Sequence, residues 1–378
     1  MRRFRWELAA LLSVAASCAV AQPAASSADA HRHTEGPELM ARHQQFVQEG
    51  EAKLAAGDAS GAQQAFEAAT QIVHAADVEL GLVRSYMQAG DYRRALSFSA
   101  HAAGAHRELP SGMALYAWLL YVGGQQAVAM RMLDDWIARA PDDIALRQAK
   151  TQLATPTPRA EGVLALPPWR MAPNDGSGQV PANASVTGSA VLGGDGRSAL
   201  AAAAATDGAH RVWVRNGMGR STAAHVAQRF DDLGLVLLEL ENALVTPAQL
   251  STSPAAPFAG SPSYMVEFVT SDVAGPAWPL LRQGFFGRSS GPSLPPPLGI
   301  DAPRGARGGP VFDRSGRLAG VAVSSADGVD RLMPMASIHQ QVPAFGIGDR
   351  PDSTAAPMTI DAMYETALRL ALQVAVER

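Results

Sequence analysis

The chain has 378 residues, 47% of them hydrophobic, which is enough for about two folded domains with ordinary apolar cores. Its formal net charge is −4, and no dense cluster of Lys and Arg interrupts the sequence. Because a phosphate-binding surface normally carries clustered basic side chains, this charge pattern argues against a nucleic-acid partner.

The first 21 residues have the pattern of an export signal. A basic segment, residues 1 to 5, precedes an apolar run over residues 8 to 19, and Ala19-Val20-Ala21 is a small-x-small cleavage site. The apolar run is short for a membrane span, and no later run has that length. We therefore predict cleavage after Ala21 and a periplasmic location without a membrane span; the alternative is a retained anchor.

The only cysteine, Cys18, lies in this leader. A lipidation site would need leucine three residues upstream, where Ala15 stands. Without Cys18 the mature chain has no disulfide, cysteine ligand or cysteine nucleophile. Residues 22 to 37 are rich in Ala, Ser, His and Pro without periodicity, and we predict a flexible leader in which His31 and His33 are solvated.

Residues 38 to 152 carry a helical repeat. Gly57, Gly90 and Gly124 are spaced by 33 and 34 residues, an alanine follows each after five residues, and a core-filling position follows after nine. In such a repeat the glycine ends the first helix, and the alanine allows the second helix to approach closely. The pattern resembles the tetratricopeptide repeat and implies three helical hairpins, although Ser99 stands where an aromatic residue is usual.

A stack of such hairpins has a concave face that can hold a protein or peptide. By repeat register this face carries four binding candidates: Arg84, Gln88, Trp118 and Tyr121. The aromatic pair would anchor an extended peptide or partner helix; the alternative, which we favour, is packing against a neighbouring helix or the second domain.

No metal site and no cofactor is predicted. His74, His101 and His106 are expected on solvated helix faces or turns and share no ligand spacing. No other pair of histidines or carboxylates has helical or hairpin ligand spacing.

Residues 153 to 185 form a proline-rich linker, in which no long helix or strand is expected. Beyond it, short apolar runs separated by turn residues predict a barrel or sandwich. The strand candidates are residues 188–196, 211–215, 233–240, 264–269, 284–287 and 318–324.

Several short segments between residues 186 and 345 occur in a characteristic order. Gly188-Ser-Ala-Val191 precedes a turn at Asp195-Gly196, Asp232-Leu-Gly-Leu235 follows, and Gly305-Ala-Arg-Gly-Gly-Pro310 leads through a polar hairpin to a Gly-Val strand. This order resembles the trypsin-like protease domain of the exported HtrA type. The resemblance implies a double β-barrel, and the fold class is then an N-terminal helical stack joined to that barrel.

The resemblance fails at the catalytic positions. The histidine general base of the family falls on Ala204, its aspartate on Asp232 and its serine nucleophile on Arg307. A methyl group accepts no proton, and a guanidinium is no nucleophile. We therefore predict no catalytic residue. Asp232 is expected to be either a buried carboxylate bonded to backbone amides or a strand-start residue that faces water.

The backbone of the former oxyanion loop would survive. This loop comprises Gly305, Arg307 and Gly308, and Arg307 would bind a carboxylate of a peptide or of the domain itself. The alternative is that Arg307 turns outward into water. Asp301 stands at the specificity-pocket position of the family, and Arg304 or Arg307 is its expected partner.

Other residues could supply a catalytic base only if the fold differed strongly from that of the family. His225 and His339 are the remaining candidates for a base. Gly287-Arg-Ser-Ser-Gly291 matches the letters of a nucleophile elbow, but the following prolines exclude the helix which that motif needs, so a surface hairpin is expected.

Residues 355 to 378 are predicted to form an amphipathic helix that docks onto one of the two domains. Its apolar stripe consists of Met358, Ile360, Met363, Ala367, Leu370 and Val374. The whole sequence thus predicts an exported, non-catalytic scaffold that binds proteins or peptides in the cell envelope. The alternatives are an active serine-type endopeptidase with atypical residues and a structural assembly subunit.

Overall fold

The computed structural model describes residues 27 to 378 except 107–109, 176–179, 248–249, 254–256, 290, 292–293, 304, 306, 326 and 348–355. In this part of the chain, seven α-helices precede the β region: α1 Ser27–Ala55, α2 Ala59–Thr70, α3 Ala76–Ala89, α4 Tyr92–Ala105, α5 Ser111–Val122, α6 Gln126–Arg139 and α7 Ile144–Leu153. Among the described helices, none combines the length and the apolar character that crossing a bilayer requires.

Helix α1 begins inside the segment predicted to be a flexible leader. The prediction is wrong from Ser27 onward, since the helix runs through residues 27 to 37 and includes Pro37. Once the later part of a helix has nucleated, each added residue gains one hydrogen bond, so a segment without apolar periodicity can still extend it. The predicted cleavage site at Ala21 and Cys18 lie outside the described residues.

The repeat glycines end the first helix of each hairpin. Gly57, Gly90 and Gly124 have φ angles of 76°, 81° and 94°, which is the left-handed region that favours glycine. The alanines five residues later are all fully buried: Ala62, Ala95 and Ala129. The turns and the close helix contacts are therefore where the repeat pattern predicts them.

Two six-stranded β units follow the helices. The first is a closed barrel of β1 Ser185–Leu192, β2 Ser198–Ala202, β3 Arg211–Asn216, β4 Ser221–Phe230, β5 Leu235–Leu240 and β12 Ala371–Glu377, in the order β1-β12-β3-β4-β5-β2. The second contains β6 Pro262–Glu267, β7 Leu280–Phe286, β8 Leu298–Ile300, β9 Pro310–Asp313, β10 Leu318–Ser324 and β11 Asp330–Pro334, in the order β11-β10-β9-β6-β7-β8. An isolated β-bridge between Pro297 and Arg331 links the two edges of this second sheet, at β8 and β11. The predicted combination of an N-terminal helical stack with two β-barrel units is confirmed.

The last strand corrects the prediction for the C-terminal segment. Helix α9 spans Ile360–Leu370, and the following residues form β12 instead of continuing the helix. Val374, which the predicted stripe included, pairs with Gly188 of β1 and Val214 of β3. A short apolar run fits either a helix or a strand, and here two open strand edges supply hydrogen bonds on both sides. The barrel therefore does not end at residue 345.

Helix α9 packs between the helical stack and the β units. Tyr364 is fully buried, its ring meets Tyr92 of α4 edge-on at 4.5 Å, and its hydroxyl donates to the Pro279 carbonyl at 2.7 Å. Burial raises the pKa of the Tyr364 hydroxyl well above its usual value, so it remains a donor. Glu365 accepts from the backbone of Arg93 at 2.8 Å. One apolar core continues from the helices into both β units.

Candidate functional site

Two of the positions that the resemblance aligned with catalytic residues lie on neighbouring segments of the closed barrel. Ala204 is in a short 3-10 helix directly after β2, and Asp232 is in another directly before β5. Strands β2 and β5 pair, and the Ala203 amide donates to the Gly234 carbonyl at 2.9 Å. The strand pairing therefore brings the segments that carry Ala204 and Asp232 side by side.

The loop that carries Arg307 meets the same barrel. The Ser189 amide of β1 donates to the Arg307 carbonyl at 3.3 Å. A Cβ added at Gly308 would lie 1.9 Å from the Ser189 oxygen and 2.8 Å from the Ala202 nitrogen. Ala204, Asp232 and Arg307 thus lie on segments that meet at the junction between the two β units.

This tight approach makes Gly308 sensitive to substitution. Its φ of 118° also disfavours any residue with a side chain. We expect Gly308→Ala to lower the free energy of unfolding by at least about 2 kcal/mol, as measured by urea denaturation. Gly305→Ala is the matched control, since its added Cβ would come no closer than 3.5 Å to Thr270. Equal losses in both variants would contradict the packing described here.

Ala204 and Asp232 are both exposed. Of the two alternatives for Asp232, the structure therefore shows the carboxylate that faces water. Ala204 lines a groove of about 440 Å³ together with Arg159, Thr187 and Asp272. A second pocket, of about 310 Å³, shares Arg159 and Ser271 with this groove.

Arg307 binds carboxylates of the domain itself, which is one of its predicted alternatives. It is 4% exposed, so it neither turns into water nor projects as a free cation for a peptide carboxylate. Its Nη1 contacts Glu267 Oε2 at 2.8 Å, its Nε donates to Asp330 Oδ2 at 2.8 Å, and its Nη2 donates to the Pro303 carbonyl. The guanidinium is therefore bound within the second β unit by that unit's own residues.

These contacts extend into a longer network. Arg282 Nε donates to Glu267 Oε1 at 2.6 Å, so Glu267 lies between two guanidinium groups. The Ser324 hydroxyl lies 2.9 Å from Asp330 Oδ1. Two cations and two carboxylates alternate, which is the arrangement that buried charges need if their desolvation is to be offset. We call these four residues, Arg282, Glu267, Arg307 and Asp330, the Arg307 network.

The network also keeps the guanidinium of Arg307 protonated. Burial alone would lower its pKa, but the adjacent carboxylates of Glu267 and Asp330 outweigh burial and raise the pKa above its usual value. Arg307 is thus a permanent cation. A permanent cation in this position has no lone pair with which to attack a carbonyl.

Strand register brings the partners of Arg307 together. Glu267 is the last residue of β6, which pairs with β9 directly after the loop, and Asp330 is the first residue of β11, which pairs with the end of β10. Neither carboxylate was predicted from the sequence as a partner of Arg307. The signal was present for Glu267, since an acidic residue stands in the otherwise apolar run Met265-Val-Glu-Phe-Val269.

Little space remains beside the network. A cavity of about 40 Å³ is lined by Thr157 of the linker, Thr270 and Pro303, among other residues. That volume suits a water molecule and excludes an amino-acid side chain. Asp301 is exposed, and the predicted Asp301–Arg307 pair is wrong because Glu267 and Asp330 occupy the guanidinium. Arg304 lies outside the described residues.

The predicted concave face is covered. Arg84, Gln88 and Trp118 are buried, and Tyr121 is half-buried against the core. Arg84 Nη1 donates to Glu51 Oε2 at 3.0 Å. Four candidates predicted to bind a peptide therefore face other parts of this chain, and the alternative of internal packing is correct for the aromatic pair.

The linker and the barrel provide that cover. Gln88 Nε2 donates to the carbonyls of Asn174 in the linker and Met218 in the β3–β4 turn, and its Oε1 accepts from the Asn174 amide at 3.0 Å. The linker and the barrel therefore occupy the hydrogen-bonding groups of Gln88, so that these groups are not free to bind a peptide.

The other catalytic candidates lie elsewhere. His225 of β4 pairs with Glu239 of β5 at 3.2 Å on an exposed face. His339 lies on α8, Met335–Gln341, which packs on β10 and β11. Ser289 bonds the Gly291 and Leu294 carbonyls within its own turn, which is the geometry of a surface loop.

Comparisons with known proteins give little independent information. No protein-family model matches the sequence, and no curated protein matches it. Among solved structures, the apo MamO protease domain from Magnetospirillum magneticum is similar, with a TM-score of 0.32 and 20% sequence identity over 44% of this chain and 93% of that chain. A likeness at this level carries no conclusion about activity, so the site must be interpreted from its own contacts.

Proposed function

We propose that this protein is a non-catalytic scaffold with a trypsin-like protease fold, which binds a protein or peptide partner. The observation that carries the proposal is the Arg307 network, in which a buried and fully paired guanidinium stands where the fold would place its nucleophile. Acyl transfer on this fold needs a hydroxyl, an imidazole and an oxyanion cradle together. Ala204 supplies no proton acceptor, and Asp232 has no imidazole to orient.

The helical stack serves as a base for the β units in this proposal. Polar side chains cross the boundary in both directions: Gln126 donates to the Leu281 carbonyl at 2.9 Å, and Gln283 donates to the Gly124 carbonyl at 2.6 Å. Together with the buried Tyr92–Tyr364 pair, these contacts support the proposal that the tetratricopeptide-like hairpins bind the barrel and not a separate peptide.

The partner would lie in the groove beside Ala204. Its lining includes two guanidinium side chains, Arg159 and Arg378, together with Ser271 and Asp272. Guanidinium groups recognise carboxylates with good geometry, so a segment of a protein partner that carries acidic residues fits this groove best. In this proposal Arg159, which is half-buried, and Arg378, which is exposed, recognise the partner's carboxylates.

The place of action in this proposal is the cell envelope. Its support is the leader pattern over residues 1 to 21. Intact-mass analysis of the protein secreted to the periplasm should find a chain that begins at Gln22. A chain that retains its first residues and fractionates with membranes would mean a retained anchor instead.

The absence of catalysis is tested directly on the purified protein. Incubation with casein and with a fluorophosphonate probe should give neither turnover nor covalent labelling, because Ala204 and Arg307 supply neither a general base nor a nucleophile. Active trypsin treated in parallel is the positive control. The protein would be an active endopeptidase if casein hydrolysis co-purified with it over successive chromatography steps and if the probe blocked that hydrolysis.

The binding function needs its own test. Affinity purification from the native envelope should recover partner proteins with the parent chain and fewer with Arg159→Ala/Arg378→Ala. Recovery of one partner at fixed stoichiometry with both proteins would indicate an assembly subunit whose contacts lie outside the groove.

A further inference from the structure

Three metal-ligating side chains meet at one end of the helical stack. His74 is in the turn between α2 and α3, Glu79 is in the first turn of α3, and His106 directly follows α4. Helices α3 and α4 form an antiparallel hairpin, so the start of one lies beside the end of the other. One ligand atom from each of the three residues lies within 4.8 Å of the others.

The carboxylate stands between the two imidazoles. Glu79 Oε1 lies 2.5 Å from His74 Nε2, and Oε2 lies 3.4 Å from His106 Nε2. The two rings are stacked with their centroids 5.8 Å apart and an interplanar angle of 26°. Both imidazoles therefore present a nitrogen to the same carboxylate.

Glu79 is an unusual residue for a purely structural position. It is 1% exposed, and neither of its oxygens accepts a hydrogen bond of ordinary geometry from the described residues. A buried carboxylate without hydrogen bonds is costly unless a cation compensates it. A positive charge is therefore expected beside Glu79, and a metal ion held by the two imidazoles would supply it.

We propose that His74, Glu79 and His106 bind one divalent transition-metal ion, with zinc as the best-matched ion. Two imidazole nitrogens and one carboxylate oxygen are a ligand set that Zn²⁺ takes in proteins, and three protein ligands leave a fourth position for water. Imidazole ligands favour transition metals over Ca²⁺ and Mg²⁺, which prefer oxygen ligands.

The exposed fractions of the three ligand side chains are consistent with an ion that enters from solvent and is then retained. The His74 side chain is 54% exposed, whereas Glu79 and His106 are largely buried. An ion would enter from solvent past His74 and rest against the other two ligands. Bound there, it would tie the α2–α3 turn to the end of α4 and stabilise the hairpin, because it binds the folded state alone. None of these ligands belongs to the Arg307 network.

The test uses the full chain with its two leader histidines removed, His31→Ala/His33→Ala, so that they cannot contribute ligands. After the protein is stripped with chelator, Zn²⁺ is titrated by calorimetry and Co²⁺ by visible absorption. We expect one ion per chain and cobalt bands typical of a low-coordinate site.

Ligand variants then identify the site. His74→Ala, His106→Ala and Glu79→Gln should each weaken binding by at least about tenfold, since even outer-shell partners of metal ligands change affinity that much. His101→Ala is the matched control, because His101 is an exposed histidine of the same helix, α4, and should leave binding unchanged.

Folding is checked separately, since Glu79 is buried. Thermal unfolding without metal shows whether each variant folds; His74→Ala replaces a mostly exposed side chain and should melt like the parent. Zn²⁺ should raise the melting temperature of the parent and not that of His74→Ala. Equal zinc binding by all variants would overturn the inference. So would an absence of calorimetric and spectral change in the parent, which would leave a simple histidine–glutamate ion pair.

Discussion

Replacing Arg307 by serine is expected to lower the free energy of unfolding by about 3 to 5 kcal/mol and to create no protease. The substitution removes the cation between the buried carboxylate of Glu267 and the half-buried carboxylate of Asp330, so that only Arg282 remains beside Glu267. The new hydroxyl would still lack a proton acceptor at Ala204. Urea denaturation measures the loss, and casein hydrolysis tests the activity.

Two variants show whether charge and geometry cause this loss. Arg229→Ser breaks an exposed pair with Asp207 and should cost no more than about 1 kcal/mol. Arg307→Lys keeps the charge but cannot reach three acceptors in one plane, so an intermediate loss is expected. If Arg307→Ser were as stable as Arg229→Ser, the network would not contribute to folding. If it hydrolysed casein, the position of the base would be wrong.

Replacing Val374 by aspartate is expected to cost at least about 4 kcal/mol, enough to unfold the closed barrel. Val374 is fully buried at the centre of β12, where it pairs with β1 on one side and β3 on the other. The new carboxylate would have no cation and no donor within the apolar core. Thermal unfolding and the yield of soluble protein measure the effect.

Glu377→Gln is the control for that variant. It lies at the end of the same strand, is only half-buried, and should change stability by no more than about 0.5 kcal/mol. Tolerance of Val374→Asp at wild-type stability would mean that residues 371 to 377 do not close the barrel in solution.

The Arg307 network changes the interpretation of the former catalytic loop. A single substitution at the nucleophile position would leave an open cradle that a peptide could still enter. Here the Arg307 side chain occupies that space and binds residues of its own domain. A cavity of only about 40 Å³ remains beside it. Recognition of a partner is therefore proposed at the exposed groove beside Ala204, and not inside the second β unit.

Local patterns determined much of the architecture. The positions of Gly57, Gly90 and Gly124 predicted three turns, because only glycine adopts positive φ without strain. The order of short apolar runs and the Gly-x-x-Gly-Gly-Pro loop predicted the trypsin-like double barrel. These features depend on backbone conformation and side-chain size within a few residues of each position, which the sequence records directly.

Tertiary structure alone decided the rest. Residues 371 to 377 are compatible with a helix or a strand, and the open edges of β1 and β3 made them a strand. The partners of Arg307 are Glu267, 40 residues upstream, and Asp330, 23 residues downstream. His74, Glu79 and His106 have no ligand spacing along the chain, and only the antiparallel packing of α3 and α4 places them together. Contacts between residues distant in sequence carry no periodic signal, so a single sequence does not reveal them.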